Sequence, residues 1–333
     1  MRPLAFMLLR DLSHEQFTSG TRLAEKYGVS RSAVSDALRD ASAAGIEIFT
    51  LTRKGYRLAA PIELLDVNRV HAALGSMAKR IAVEVVATID STNSELMRRA
   101  TAGAPSGTCL AAESQTAGRG RRGRTWHSVL GASLTFSLLW RFDKSAGELA
   151  GLSLVVGLAI LRALHDVGLR DADGVGLKWP NDIVADGAKL AGILIETQGD
   201  MLGPTAVVIG IGVNVNLNPS LKMNIDQPAT DVNSCCDRIP SRNRLLARIL
   251  QELQLVLDEF QQTGFRTFKP AWCKHHVLHG KSVRVQFADG STVEAKVKDV
   301  ADNGALIVAV NGKTLHVTAG EVSLRATAGD PRK

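Results

Sequence analysis

Residues 118–126 read GRGRRGRTW, four arginines and three glycines in nine positions with a tryptophan at the end. Glycines let a backbone approach a ligand and expose its N–H groups. Arginines present a planar fork suited to phosphate or carboxylate. The spacing is no dinucleotide fingerprint, and no Gly-Lys-Ser/Thr follows to make a Walker loop. Anion binding is the chemistry open to it, and a solvated basic loop is the bland alternative. So much like charge repels itself, so the loop is expected to be mobile until an anion arrives. Trp126 can stack on a ring or shield a site from water.

Two further stretches can do chemistry. In GLKWPNDIVADGAKLAGILIE (176–196) a strand ends at Lys178-Trp179-Pro180-Asn181-Asp182, where Pro180 forbids continued ladder pairing and forces a turn. Another strand then begins at Lys189, with Gly192 permitting close packing beside whatever Lys189 reaches. Asp182 beside Asn181 can simply cap a turn. In ATIDSTNSEL (87–96) a strand ends at Asp90-Ser91-Thr92-Asn93 and a helix begins. Those residues serve as an N-cap, or as neutral hydrogen-bonding groups facing a small polar ring.

The elements that must position these residues follow from patterning. IAVEVVATI (81–89), TCLAAE (108–113), SLTFSLLW (133–140), VGLKW (175–179), DIVA (182–185), LAGILIE (190–196) and AVVIGIGVNVN (206–216) read as strands, short and β-branched or alternating. LAGLSLVVGLAILRALHDVG (149–168) reads as a mostly buried helix, and RNRLLARILQELQLVLDEF (242–260) as an amphipathic helix covering a sheet. The order predicts an α+β sheet with helices packed on one side. Residues 271–333 turn to β, with turns at Asp289-Gly290 and Gly312, and predict a small barrel of about five strands.

Ahead of the sheet, residues 23–45 hold two short helices separated by a tight turn, with Gly28 as the end of the first and Ser30 as N-cap of the second. Val34, Ala37, Leu38 and Ala41 share one face; Arg31, Ser32, Ser35 and Arg39 share the other. IEIFTLTRKGYRL (46–58) reads as a hairpin, so residues 1–60 predict a winged helix-turn-helix. Arg53, Lys54 and Arg57 at the wing fall where a phosphate backbone would lie, and Arg31 starts the helix that reads bases. Asp36 and Asp40 oppose strong electrostatic binding, so one copy is expected to bind weakly and two to be needed. A purely structural helix pair is the alternative. Residues 61–80 read as a connector.

The 333 residues carry a net charge of +7, a weak pointer to anionic partners, and are 45% apolar, enough for two or three domains. No charge-free apolar run approaches ~18 residues, so no membrane span is expected, and the opening residues lack the features of a signal peptide. Cys109, Cys235, Cys236 and Cys273 show no metal-ligand spacing and are read as reduced thiols of a cytoplasmic protein.

IDSTN (89–93), ESQTAGRGRRGRTW (113–126), KWPNDI (178–183), KLAGILIE (189–196) and IGIGVNVN (209–216) occur in this order. Together they resemble the biotin protein ligase family. With the winged unit, the chain resembles its bifunctional form, which also represses the biotin biosynthesis operon. The resemblance runs from residue 18 to the neighbourhood of 325. It implies a winged helix-turn-helix over 1–62, a mixed-sheet ligase domain with helices over 63–272 and a small SH3-like β-barrel over 273–326, with Arg325 near its seam. It implies synthesis of biotinyl-5′-AMP from biotin and Mg·ATP, then transfer of biotin to one lysine of the biotin carboxyl carrier protein of acetyl-CoA carboxylase. Ser91, Thr92, Asn93, Gln115, Arg119, Gly120, Arg121 and Lys189 would hold biotin. Arg121, Arg122, Arg124, Trp126, Lys178, Asn181 and Lys189 would hold ATP and the adenylate. Lys189 and Arg121 would act in catalysis, and Asp182 is a candidate for deprotonating the acceptor lysine. Mg²⁺ would ride on the ATP phosphates, and no protein ligand to it is named. The adenylate would also be the corepressor, pairing two subunits so that Arg31, Ser32, Ser35, Arg39, Arg53 and Lys54 bind operator DNA of the biotin operon.

Three other readings stay open: a ligase whose winged unit no longer binds an operator, a lipoate or octanoate ligase of the same fold, and a transcription factor with a sensor domain. The last leaves Lys189 and the arginine loop unaccounted for. Residues 217–241, with Cys235-Cys236, receive no role.

Overall fold

The computed structural model describes residues 2–170, 174–199, 203–217, 227–287 and 289–318, and the backbone of 322–326. Three helices, α1 (Pro3–Asp11), α2 (Gly20–Tyr27) and α3 (Arg31–Ala43), precede the hairpin β1 (Ile48–Leu51) and β2 (Gly55–Leu58). Gly28 takes the left-handed conformation (φ 62°) that ends α2, and Ser30 Oγ accepts from Ala33 N at 3.1 Å to cap α3. Val34, Ala37, Leu38 and Ala41 are buried against Phe6, Leu8, Leu9 and Leu23, as the spacing predicts.

Helix α4 (Val67–Leu74) leads into a seven-stranded sheet: β3 (Ala82–Ile89), β4 (Thr108–Gln115), β5 (Ser133–Phe142), β6 (Gly176–Lys178), β7 (Asp182–Ala185), β8 (Ala188–Gly199) and β9 (Thr205–Asn214). The spatial order is β3-β4-β5-β9-β8-β7-β6, with β3 and β4 parallel and the other pairs antiparallel. One face packs on α6 (Leu152–Asp166), the helix α8 (Arg242–Thr263) and the short α9 (Lys269–Lys274); α7 (Val232–Cys235) follows the described gap. Residues Ala146–Asp166 are long and apolar enough to cross a membrane by composition, and most of that span is buried in this core.

The one-sided arrangement expected from the sequence is corrected. Helix α5 (Thr92–Thr101) lies on the opposite face, where Leu96 and Ala100 cover Leu110, Leu139 and Val208. Side chains alternate along a strand, so β4 sends Cys109 to one core and Leu110 to the other, and both faces need cover.

The C-terminal unit is antiparallel: β10 (Ser282–Phe287), β11 (Thr292–Val300), β12 (Leu306–Val310), β13 (Lys313–Val317) and β14 (Val322–Ala326), ordered β13-β12-β11-β10-β14. Its apolar residues, Val283, Val297 and Leu306 among them, join the sheet's own core. The Trp179 indole donates to Gly304 O at 3.0 Å, tying the Pro180 corner to this unit. Arg325 pairs in register with Arg284; its side chain lies outside the described residues.

The connector is bolted down. Glu63 accepts from Ser241 Oγ (2.6 Å), Asn243 Nδ2 (2.8 Å) and Arg242 N. Arg242, 2% exposed, donates to Glu63 O (2.7 Å), Ser133 O (2.7 Å) and the equally buried Glu113 carboxylate (2.9 Å). Glu113 also accepts from Leu65 N. A buried guanidinium thus finds acceptors on the connector, on β4 and on β5 at once.

Candidate active site

The end of β4, the first half of β8, the middle of β5 and β9 and the start of α5 converge with the arginine loop on one open-sided pocket of about 450 Å³. Ser91 caps α5, its Oγ accepting from Ser94 N at 3.4 Å, which sets Thr92 and Asn93 in the first turn facing the sheet. Gln115, the last residue of β4, accepts from Thr92 N at 2.8 Å. Lys189 opens β8, its backbone held by Pro228 O (2.8 Å) and Thr230 N (3.0 Å). The stretch 227–236, part of the segment with no role from sequence, therefore backs the lysine. Residues 218–226 of that segment lie outside the described residues. Cys235 and Cys236 stand at its end, where the Cys235 carbonyl accepts from Arg170.

The arginine loop makes protein contacts of its own. Gly120 N donates to Arg124 O (2.7 Å) and Trp126 N to Gly118 O (3.0 Å), closing a small hairpin. Arg119 pairs with Glu196 at 2.7 Å, and Arg121 donates to Asn181 Oδ1 at 3.0 Å. These acceptors offset the repulsion that the sequence suggested. Burial pulls the Arg121 pKa below the ordinary arginine value, which marks a cation held out of water beside the pocket.

Trp126 lies flat on the sheet. A β-carbon on Gly212 would fall 2.2 Å from its ring, and one on Gly192 3.2 Å from it and 2.8 Å from Lys189 Cε, so only glycine fits beneath. Lys189 Nζ stands 5.5 Å from the Trp126 ring centre and 2.7 Å from Asp182 Oδ1. The indole N–H of Trp126 is buried with no hydrogen-bond partner among the described residues.

The pocket wall includes Ser91, Thr92, Asn93, Gln115, Arg119, Gly120, Arg121, Trp126, Asn181 and Lys189. Lys178 and Asp182 border instead a smaller space of about 150 Å³ behind it, next to Trp272 and α6. Arg122 and Arg124 are exposed on the loop and extend its positive rim into solvent. The wall also carries Thr135, Phe136, Gly210 and Gly212, which the strand pattern recorded without a role. Among the described residues no three His, Cys, Asp or Glu side chains converge as a metal site.

A polar, hydrogen-bonding floor next to the half-buried cations Arg121 and Lys189 accommodates an acid with a polar ring, and the comparisons bear on which. The Biotin/lipoate A/B protein ligase family matches residues 85–214, the Biotin protein ligase C terminal domain 278–325 and an HTH domain 5–57. The Bifunctional ligase/repressor BirA of Salmonella typhimurium is 35% identical over 324 residues, covering 97% of this chain and 98% of that protein. The chain belongs to the biotin protein ligase family. The Biotin--[acetyl-CoA-carboxylase] ligase of Mycobacterium tuberculosis is 34% identical over 80% of this chain and 97% of its own. The structure of biotin protein ligase from Aquifex aeolicus in complex with biotin and ATP superposes with a TM-score of 0.62 at 27% identity. It covers 74% of this chain and 99% of that one.

On the winged unit of this family member, Arg31, Ser32, Arg39, Arg53 and Lys54 are exposed and Ser35 is half-buried. Arg39 is paired with Asp36 at 3.0 Å. Arg57 lies within β2 rather than at the wing tip: its guanidinium is 5.2 Å from the Phe17 ring centre and 5.1 Å from that of Phe49, linking the hairpin to the segment between α1 and α2.

Proposed function

We propose that this chain activates biotin as biotinyl-5′-AMP, transfers it to a lysine of a biotin carboxyl carrier protein, and represses the biotin operon with the adenylate as corepressor. The observation that carries the reading is the mixed wall of one pocket. It carries neutral hydrogen-bonding groups (Thr92, Asn93, Gln115) together with the cations Arg119, Arg121 and Lys189. A polar ring fits the first and a carboxylate fits the second.

In the first step a biotin carboxylate oxygen attacks the α-phosphorus of ATP, the bond to the β-phosphate bridge breaks, and pyrophosphate leaves. Two anions meet, so Lys189, Arg119 and Arg121 offset their repulsion and the charge that develops. Mg²⁺ enters on the ATP as part of the substrate. Trp126 covers the adenylate side, and Arg122, Arg124, Lys178 and Asn181 supply the surrounding polar groups. In the second step a carrier lysine amine attacks the acyl carbon, an amide forms and AMP leaves. The amine attacks only when neutral, and Asp182 is the proposed acceptor of its proton.

The HTH match and the bifunctional relatives support the repressor half. Adenylate-bound subunits pair, and only the pair holds a two-part operator firmly, a population shift driven by the ligand. ATP, carrier and operator place the work in the cytoplasm. Biotin-dependent exchange of pyrophosphate into ATP tests the enzyme; octanoate-dependent exchange without it would turn the reading to a lipoate-type ligase. Retention of biotin-operon promoter DNA only with biotin plus Mg·ATP, weaker at high salt, tests the repressor. No retention by a preparation that labels carrier would leave a ligase alone.

A further inference from the structure

Asn93 is 4% exposed, and its amide is bonded on both sides by protein. Ser137 Oγ, fully buried on β5, lies 2.5 Å from Asn93 Oδ1 and 2.7 Å from Thr92 Oγ1. At the other end, Asn93 Nδ2 faces Leu194 O at 3.3 Å and a Glu196 carboxylate oxygen at 3.0 Å. Both of those are acceptors. A reversed amide would set oxygen against two oxygens, so the orientation is decided by its partners.

The protons can be followed. An amide oxygen only accepts, so Ser137 Oγ is the donor to Asn93, and it is also the donor on its contact with Thr92 Oγ1. Thr92 Oγ1 donates in turn to Gln115 Oε1 at 3.1 Å, an oxygen that also accepts from Thr92 N at 2.8 Å. Both Asn93 donors are consumed inside the protein. Its Oδ1, which can accept twice, lies over Gly210 on the pocket wall, where a β-carbon would come within 2.1 Å of it. Asn93 therefore offers the pocket a lone pair and no proton.

We infer that Ser137 and Glu196, neither of them on the pocket wall, are positioning residues that fix Asn93 as an acceptor. They thereby make the pocket select ligands whose ring donates N–H groups. The cyclic urea of biotin does so; a dithiolane ring or an octanoyl chain does not. Such acids leave the second lone pair of Asn93 Oδ1 unmatched and forgo that hydrogen bond. The inference rests on the ligase reading above and supplies its basis for choosing among acids.

The test measures acid-dependent pyrophosphate exchange with the full chain and its Ser137→Ala, Ser137→Thr, Glu196→Ala and Glu196→Gln variants. The acids are biotin, biotin methylated on both ureido nitrogens, and octanoate. Both alanine variants are expected to raise the KM for biotin about tenfold and shrink the preference for biotin over its methylated analogue; Ser137→Ala, which leaves the Arg119–Glu196 pair intact, is expected to keep the KM for ATP in place. Ser137→Thr and Glu196→Gln, which keep a donor and an acceptor respectively, recover part of the loss. A biotin KM within about twofold of wild type in both alanine variants would overturn the inference. So would parallel losses for ATP and every acid together with a lowered melting temperature. If the wild type activates octanoate and not biotin, the ligase reading falls and takes this one with it.

Discussion

Lys189 Nζ and Asp182 Oδ1 lie 2.7 Å apart across neighbouring strands, with side chains 16% and 18% exposed. The ammonium that would meet two anions is thus held in place by a carboxylate of its own. Lys189→Ala is expected to cut adenylate formation by about 10²–10³ in kcat, the usual cost of one preorganised charge partner. Asp182→Asn is expected to slow biotin transfer from preformed adenylate. Full transfer by that variant would reduce Asp182 to a partner for the lysine.

Arg121→Gly should loosen the site without unfolding it. The half-buried guanidinium bonded to Asn181 closes one side of the pocket, and the adenylate is a mixed anhydride that escapes or hydrolyses when water enters. The expected outcome is release of free adenylate and labelling of bystander lysines. Selectivity for the carrier equal to wild type, read by mass spectrometry of a mixed-protein reaction, would count against it.

Arg242 and Glu113, 2% and 3% exposed, form the ion pair in which a single truncation is most damaging. Removing one partner leaves the other charged and dry, so Arg242→Met is expected to cost about 3–5 kcal/mol in denaturant unfolding. Pairing it with Glu113→Gln should recover part of that loss, which a double-mutant cycle would read as coupling.

His276 makes the protein acid-sensitive. Packed against Trp272 with ring centres 4.5 Å apart and planes inclined at 41°, it is held by burial at a pKa of about 4. An unfolded histidine titrates near 6.5, so between roughly pH 6.5 and 4 the unfolded chain binds the extra proton and stability falls as pH falls. The loss approaches about 3 kcal/mol at the acid end, with full stability above the unfolded value. His276→Phe should flatten this stretch of the unfolding free energy against pH. An unchanged slope would assign the acid loss to other groups.

On the winged unit, Arg53→Ala with Lys54→Ala is expected to lower the salt slope of DNA retention by about one per residue at unchanged melting temperature. Arg57→Ala should instead destabilise the unit by about 1 kcal/mol through lost stacking on Phe17 and Phe49.

The strands were legible because apolar alternation is local. The β8 stretch was read as 190–196 and runs Ala188–Gly199, since Thr197 and Gln198 pair with β9 while offering no apolar signal. Arg57 was misplaced because its company is Phe17, forty residues earlier. Ser137 and Glu196 stood inside recognised strands as apparent filler; their meaning needs the register that sets them on either side of Asn93. Glu63 and Arg242 meet across the whole ligase domain, a closure that no periodicity announces.

That closure has a consequence for DNA. A connector pinned by a buried guanidinium works as a bracket, so the reading helix has no slack with which to search. Two copies assembled on an operator would hold their helices at a separation and rotational phase fixed by the bodies themselves. Such a pair would act as a ruler: one base pair added between half-sites turns the second by roughly 35° around the duplex, and a pinned connector would not follow.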